Sequence, residues 1–229
     1  SNAEAALLQD RAAPIVVLDA AGASLAPDIA PGQHTLGFML PYTPLHHLLM
    51  QDMARPLVMT SGNRSDEPIC IDDDDAVQRL GDLADGFCTH DRPIEVPCDD
   101  SVVRVIDGVV RPIRRSRGYA PIPIDLPFAV DPLVAVGGEL KNTCCVAQGR
   151  RAWVGQHIGD MENLETLSAF EASVATFCRT FDVDPVAFGA DLHPSYVTRR
   201  WAIDRERHHP EHLVVDVQHH HAHVASAMA

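Results

Sequence analysis

Apolar positions along this chain recur with two different periods, and the changes between them mark the predicted elements. Residues 14–20, PIVVLDA, form a short β-branched run that predicts a strand. TPLHHLLMQDMA (43–54) predicts a helix, with Thr43 as N-cap and Pro44 in the first helical position. PLVMT (56–60) reads as a strand that breaks abruptly into SGNRSDEP. DDDDAVQRLGDLADG (72–86) predicts a helix whose leading acids suit the macrodipole. In SVVRVIDGVVRPIRR (101–115), two β-branched runs flank Asp107-Gly108, a strong type I′ hairpin signal.

APIPIDLPFAVDP (120–132) has four prolines and no helical period, and reads as a linker. Three strands are then expected, at 132–138, 142–148 and 152–158, the last two joined by a Gly-Arg-Arg turn at 149–151. A helix is predicted over 162–181, with Leu164, Leu167, Phe170, Val174, Phe177, Cys178 and Phe181 on one face. A strand (186–192), a helix (195–207) and a strand (212–218) follow, and a histidine cluster opens the next helix. The order β-β-β-α-β-α-β is that of half an actin-like, ribonuclease-H-like domain. The fold class is therefore α/β, in two parts: residues 4–126 and residues 127–229. Residues 1–3, Ser-Asn-Ala, are read as a cloning scar.

Hydrophobic residues make up 46% of the 229, enough for a core and against wholesale disorder. No apolar run approaches the roughly 20 residues that span a bilayer. The net charge of -14 argues against broad nucleic-acid binding, which needs a positive face. The one basic stretch is RPIRRSR at 111–117. The six cysteines form no CxxC pair and no disulfide framework, which points to a reducing cytoplasm.

Four places carry candidate chemistry. In VQHHHAH (217–223), His219 and His223 are i and i+4, so on a helix both rings could meet one metal ion. His220 stands where a zincin protease has its glutamate, which disfavours that chemistry. The alternative is a solvated histidine-rich turn. TSGN (60–63) offers a hydroxyl, an amide and freed backbone N–H groups, suited to phosphate or nucleotide, or else makes a plain turn. RPIRRSRG (111–118) carries arginines that could clamp phosphate, or could form a solvated strand edge. GGELKNT (137–143) and GQHIGDMEN (155–163) put glycines and polar groups at strand ends. There His157 and Asp160 are either catalytic or capping.

Taken in order, LPYTPLHHLL, LVMTSGN, HDRPI, DDSVVR, RRSRGYAP, GGELKNT, QHIGDMEN, DLHPSY and VQHHHAH resemble the HypF carbamoyltransferase family of nickel–iron hydrogenase maturation. The resemblance covers almost everything after residue 13. It implies that 4–126 is the C-terminal part of a YrdC-like adenylate-forming domain and 127–229 the N-terminal lobe of a Kae1-like carbamoyl-transfer domain. The implied substrates are carbamoyl phosphate and ATP, joined as carbamoyl adenylate. The implied acceptor is the C-terminal cysteine of HypE, whose carbamoyl group becomes a cyanide ligand. By the same resemblance Ser61, Asn63 and either Arg115 or Arg117 bind nucleotide. His219 and His223 bind a divalent metal, zinc or iron, or magnesium with the ATP, and a further carboxylate ligand lies beyond residue 229. Neither site is complete in this chain, which is expected to fold but to be inactive by itself. The other readings are a small-molecule O-carbamoyltransferase and an RNA-binding YrdC-like module.

Overall fold

The computed structural model describes residues 1–20, 26–65 and 67–228, apart from the side chain of Pro27. They form an α/β structure that divides into two compact units, Ser1–Ser61 with Cys98–Tyr119, and Gly62–Pro97 with Ala120–Ala229. Among the described residues no helix is long and apolar enough to cross a membrane.

The first unit holds helix α1 (Asn2–Leu8), strands β1 (Ile15–Asp19) and β2 (Thr35–Phe38), and helix α2 (Pro44–Met53). Strands β3 (Val102–Ile106) and β4 (Val109–Arg114) complete a sheet of order β2-β1-β3-β4. Ser1 caps α1 through a capping box with Glu4, so residues 1–3 take part in the first turn. Thr43 caps α2 as expected, its Oγ1 accepting from the His46 N–H at 3.1 Å. The Asp107-Gly108 turn is present with both residues at positive φ, 51° and 77°, the geometry that matches the twist of a two-residue hairpin. β1 and β3 run parallel and bury Val16 and Val103 completely.

Residues 56–60, expected as a strand, form none. Val58 and Met59 are exposed, and the segment pairs with neither edge of the four-stranded sheet. β-branched propensity needs a pairing partner before it becomes a strand.

The second unit begins with the short helix α3 (Asp73–Leu80), which stops at Gly81 rather than reaching residue 86. Its sheet contains β5 (Ile124–Ala135), β6 (Cys145–Val154), β7 (Ala187–Asp191) and β8 (Leu213–Val217), in the order β6-β5-β7-β8. Helices α4 (Leu164–Phe181), α5 (Val197–His208) and α6 (His219–Ser226) alternate with the later strands. Two expectations change here. The proline-rich 120–132 stretch is no irregular linker, because most of it is the start of β5. The three expected strands are two, since the Gly149-Arg150-Arg151 turn is absorbed into β6 as an irregularity with Gly149 at φ 59°.

The core lies between this sheet and α4 and α5. Phe170 and Val174 of α4 are buried one turn apart, and Phe170 meets Trp201 of α5 edge-on at 5.1 Å. Val134, Val136, Val146 and Phe188 supply the sheet side. Leu164, expected on the buried face of α4, is exposed in its first turn. Asn163 caps α4, its Oδ1 accepting from the Thr166 N–H at 2.7 Å.

Candidate functional site

β5, β7 and β8 run parallel, so their C-terminal ends share one edge of the sheet. In open α/β sheets that edge is where ligands bind, because strands end there in loops and helix N-termini. Three things emerge on it: Gly137-Gly138 after β5, Asp191 closing β7, and His219 opening α6 directly after β8. The register pairs Asp191 with Val217, two residues ahead of His219.

The helix brings His219 and His223 together as the spacing predicts, with their Nε2 atoms 3.0 Å apart. His220 and His221 form a separate ring pair, 4.4 Å between centroids. His219 Nδ1 lies 2.6 Å from Asp191 Oδ2. The side chain of Asp191 is only 9% exposed, and its Oδ1 accepts from the His193 N–H at 2.9 Å. Burial pushes the Asp191 carboxyl up. The hydrogen bonds from His219 and from the His193 backbone, with the histidine charges, outweigh this and hold it below the usual carboxylate range. In a neutral imidazole, an Nδ1–H given to this carboxylate leaves the lone pair on Nε2, the carboxylate–histidine arrangement that orients metal ligands. A tetrahedral zinc with bonds of about 2.0–2.1 Å holds two imidazole nitrogens roughly 3.3 Å apart, so the donor set fits a divalent ion after a small rotamer adjustment. Asp191 was not singled out from the sequence. The available signal was a carboxylate ending the strand next to the one that leads into the histidines.

The glycine turn lies against this pair. A Cβ built on Gly138 would sit 3.9 Å from His219 Cε1, and one on Gly137, at φ 70°, would strike the Thr143 carbonyl at 2.5 Å. Glycine thus keeps backbone, rather than side chain, beside the histidine. Most polar groups of GGELKNT face inward. Buried Asn142 donates to the Val136 and Gly138 carbonyls at 2.9 and 2.7 Å. Glu139 Oε2 accepts from the Val197 N–H at 2.9 Å, meeting one of the free donors that open α5. Asp160 caps no helix; its Oδ1 accepts from the Lys141 N–H at 2.6 Å and ties the two glycine-containing motifs together. The Lys141 side chain is exposed.

The nucleotide candidates fall in both units. In the first, Ser61 is exposed, and Arg115 donates to the Tyr119 carbonyl at 3.2 Å. Arg117 uses four of its five N–H donors. Its Nε and Nη2 donate to Asp100 Oδ1 at 3.1 and 2.6 Å, Nη1 to the Ala12 carbonyl at 2.7 Å and Nη2 to the Ala13 carbonyl at 2.8 Å. Its guanidinium lies 3.7 Å from the centroid of the Tyr42 ring. In the second unit, Asn63 Nδ2 donates to the Arg64 and Glu67 carbonyls at 2.8 and 3.0 Å, while its buried Oδ1 has no hydrogen-bond partner among the described residues.

All six cysteines are free thiols. Burial, and then neighbouring Cys144, push the Cys145 thiol up to about 11, which makes it a poor nucleophile.

Comparisons with known proteins give the family. Residues 129–229 match the family model described as HypF Kae1-like domain, and residues 2–116 match the Sua5/YciO/YrdC model described as Telomere recombination. Carbamoyltransferase HypF of Synechocystis sp. is 46% identical over the whole chain, and that of Rhizobium leguminosarum bv. viciae 43%. The chain spans 30% of the length of each of these relatives. The crystal structure of full-length HypF in a phosphate- and nucleotide-bound form superposes with a TM-score of 0.93 at 43% identity, covering 100% of this chain and 36% of that one. T. kodakarensis HypF gives 0.90 at 38% identity, over 96% of this chain and 29% of that one. With both segments matched in order along its length, the chain belongs to the HypF carbamoyltransferase family.

Proposed function

We propose that this chain carries parts of two successive sites of a carbamoyltransferase that acts in hydrogenase maturation. In the first reaction carbamate, released from carbamoyl phosphate, attacks the α-phosphate of ATP; pyrophosphate leaves and carbamoyl adenylate forms. In the second the C-terminal cysteine thiol of HypE attacks the carbamoyl carbon, and AMP leaves. Residues 4–126 belong to the adenylate-forming part and 127–229 to the transfer part, with the changeover between the family matches that end at 116 and begin at 129. The cytoplasm is the proposed location, in keeping with six unpaired cysteines.

Ser61, Asn63 and Arg115 are the proposed nucleotide contacts, on the resemblance of TSGN and RRSRGYAP. Arg117 is set aside because its donors are used within its own unit. In the transfer part, His219 and His223 would hold a divalent metal, zinc or iron, which supplies a fixed positive charge for phosphate oxygens; magnesium would accompany the ATP. Asp191 would orient His219 through its Nδ1, with Nε2 toward the metal. Gly137-Gly138 lets backbone approach a ligand closely at the same edge. The observation that carries this reading is the convergence of Asp191, His219, His223 and the glycine turn on one sheet edge.

The test uses a protein of the relatives' full length that carries this segment. His219→Ala with His223→Ala should remove the metal and carbamoyl transfer to HypE, and leave carbamoyl-phosphate-dependent ATP–pyrophosphate exchange in place. Ser61→Ala with Asn63→Ala should lower that exchange. Unchanged metal content and transfer in the histidine variant would overturn the assignment. The 229-residue chain alone, which spans 30% of its relatives, should form no adenylate.

A further inference from the structure

We infer that the turn His209-Pro210-Glu211-His212 is a second divalent-metal site, separate from the His219/His223 edge. It joins α5 to β8, at the N-terminal end of that strand. His219 follows the strand's other end, and five residues at about 3.3 Å each keep the two places roughly 16 Å apart.

The turn is built to hold its side chains in place. The His212 N–H donates to the His209 carbonyl at 2.9 Å, closing a four-residue turn. Pro210 occupies its second position, where a fixed φ favours the turn. The His209 N–H donates to the Arg205 carbonyl at 2.9 Å, anchoring the turn to the end of α5. Ligand atoms of His209, Glu211 and His212 then lie within 4.8 Å of one another. The two imidazole rings stack at 4.9 Å, and His209 Nδ1 is 3.2 Å from Glu211 Oε1. His212 rests against Phe188, 5.5 Å between ring centroids, and its Nδ1 is buried with no hydrogen-bond partner. Among the described residues no hydrogen bond competes with an ion for that nitrogen.

The donor set selects the ion class. Two imidazoles and one carboxylate suit zinc, cobalt, nickel or copper rather than calcium or magnesium, which prefer all-oxygen shells. Three protein ligands leave the remaining positions to water. Because the ligands span the α5–β8 connection, a bound ion clamps that connection and stabilises the folded chain.

The test uses the 229-residue chain with His219, His220, His221 and His223 all replaced by alanine, which removes the α6 histidines, and cobalt(II) alone as probe. Equilibrium dialysis should give about one bound cobalt per chain, with visible ligand-field bands and a raised thermal midpoint. Adding Glu211→Gln or His209→Ala should weaken cobalt binding at least about tenfold, since loss of a mere outer-shell partner costs about 10–100-fold. Both replace exposed side chains, so circular dichroism should show the fold retained. No cobalt bound at millimolar concentration, or cobalt binding unchanged by both added substitutions, would overturn the site.

Discussion

Arg117→Ala separates a structural role for this arginine from a ligand-binding one. Its side chain is 23% exposed and faces Asp100, 29% exposed. It also donates to the carbonyls of Ala12 and Ala13, the residues that lead into β1. The guanidinium therefore joins the end of β4, the start of β3 and the α1–β1 turn. A hydrogen bond to a charged group contributes about 1.5–3 kcal/mol, and the stacking on Tyr42 about 0.5–1 kcal/mol. The bonds share one side chain and are not additive, and partial exposure screens the Asp100 pair. Truncation should therefore destabilise the first unit by about 3–4 kcal/mol, a large share of the roughly 5–15 kcal/mol typical of a whole domain. Arg117→Lys should recover only part of this, because an ammonium is a point charge and cannot span Asp100 and both carbonyls. Urea denaturation followed by far-UV circular dichroism measures the loss, and amide exchange at Val16 and Val103 localises it. A change below about 1 kcal/mol with unaltered exchange in β1 and β3 would refute the reasoning.

Gly118→Ala should cost at least about 1–3 kcal/mol in the same assay, because Gly118 has φ 81° and an added Cβ would lie 2.5 Å from the Ala12 Cβ. Asp191→Asn should weaken metal binding at the histidine pair about 10–100-fold while the circular dichroism spectrum is preserved; cobalt titration in a Glu211→Gln background reads this directly. Cys145, with its thiol pushed up to about 11, should be about one part in a thousand thiolate at pH 8. Its labelling should therefore lag behind that of exposed Cys88 and accelerate as pH rises toward 11, as peptide mapping after timed alkylation would reveal.

Local signals in the sequence survived folding where their partners were also local. The Asp107-Gly108 hairpin and the Thr43 cap each depend on neighbours within a few residues, and the apolar face of α4 is set by helical spacing before any partner is known. PLVMT and the stretch at 120–132 went differently because pairing decided them. The prolines of β5 do not contradict a strand. Pro127 lies between Asp125 and Val130, and Pro132 between Val130 and Leu133, the two places where the register with β6 shifts. Proline is tolerated in a sheet at such irregularities, where the ladder asks for no N–H. Pro112 likewise sits in β4, an edge strand, beside a register shift. Proline counting alone cannot distinguish a linker from an irregular strand, because the deciding fact is what lies opposite.

The same distinction governs the candidate site. The i, i+4 histidines were legible because a single helix fixes their geometry. Asp191 was not, because it is 28 residues away in sequence and meets His219 only through the β7–β8 register. Arg117 shows the converse: its motif suggested a ligand clamp, yet the Asp100 carboxylate and the adjacent Ala12 and Ala13 carbonyls take most of its donors. A cationic side chain with four of its five donors held inside its own unit must break some of those bonds before it can clamp a ligand bidentately. The histidines give up less, the single Nε2–Nε2 contact between them, and the Asp191 bond to His219 Nδ1 can stay in place. At the C-terminal edge of β5, β7 and β8, folding thus adds the carboxylate that makes the histidine pair a plausible set of metal donors.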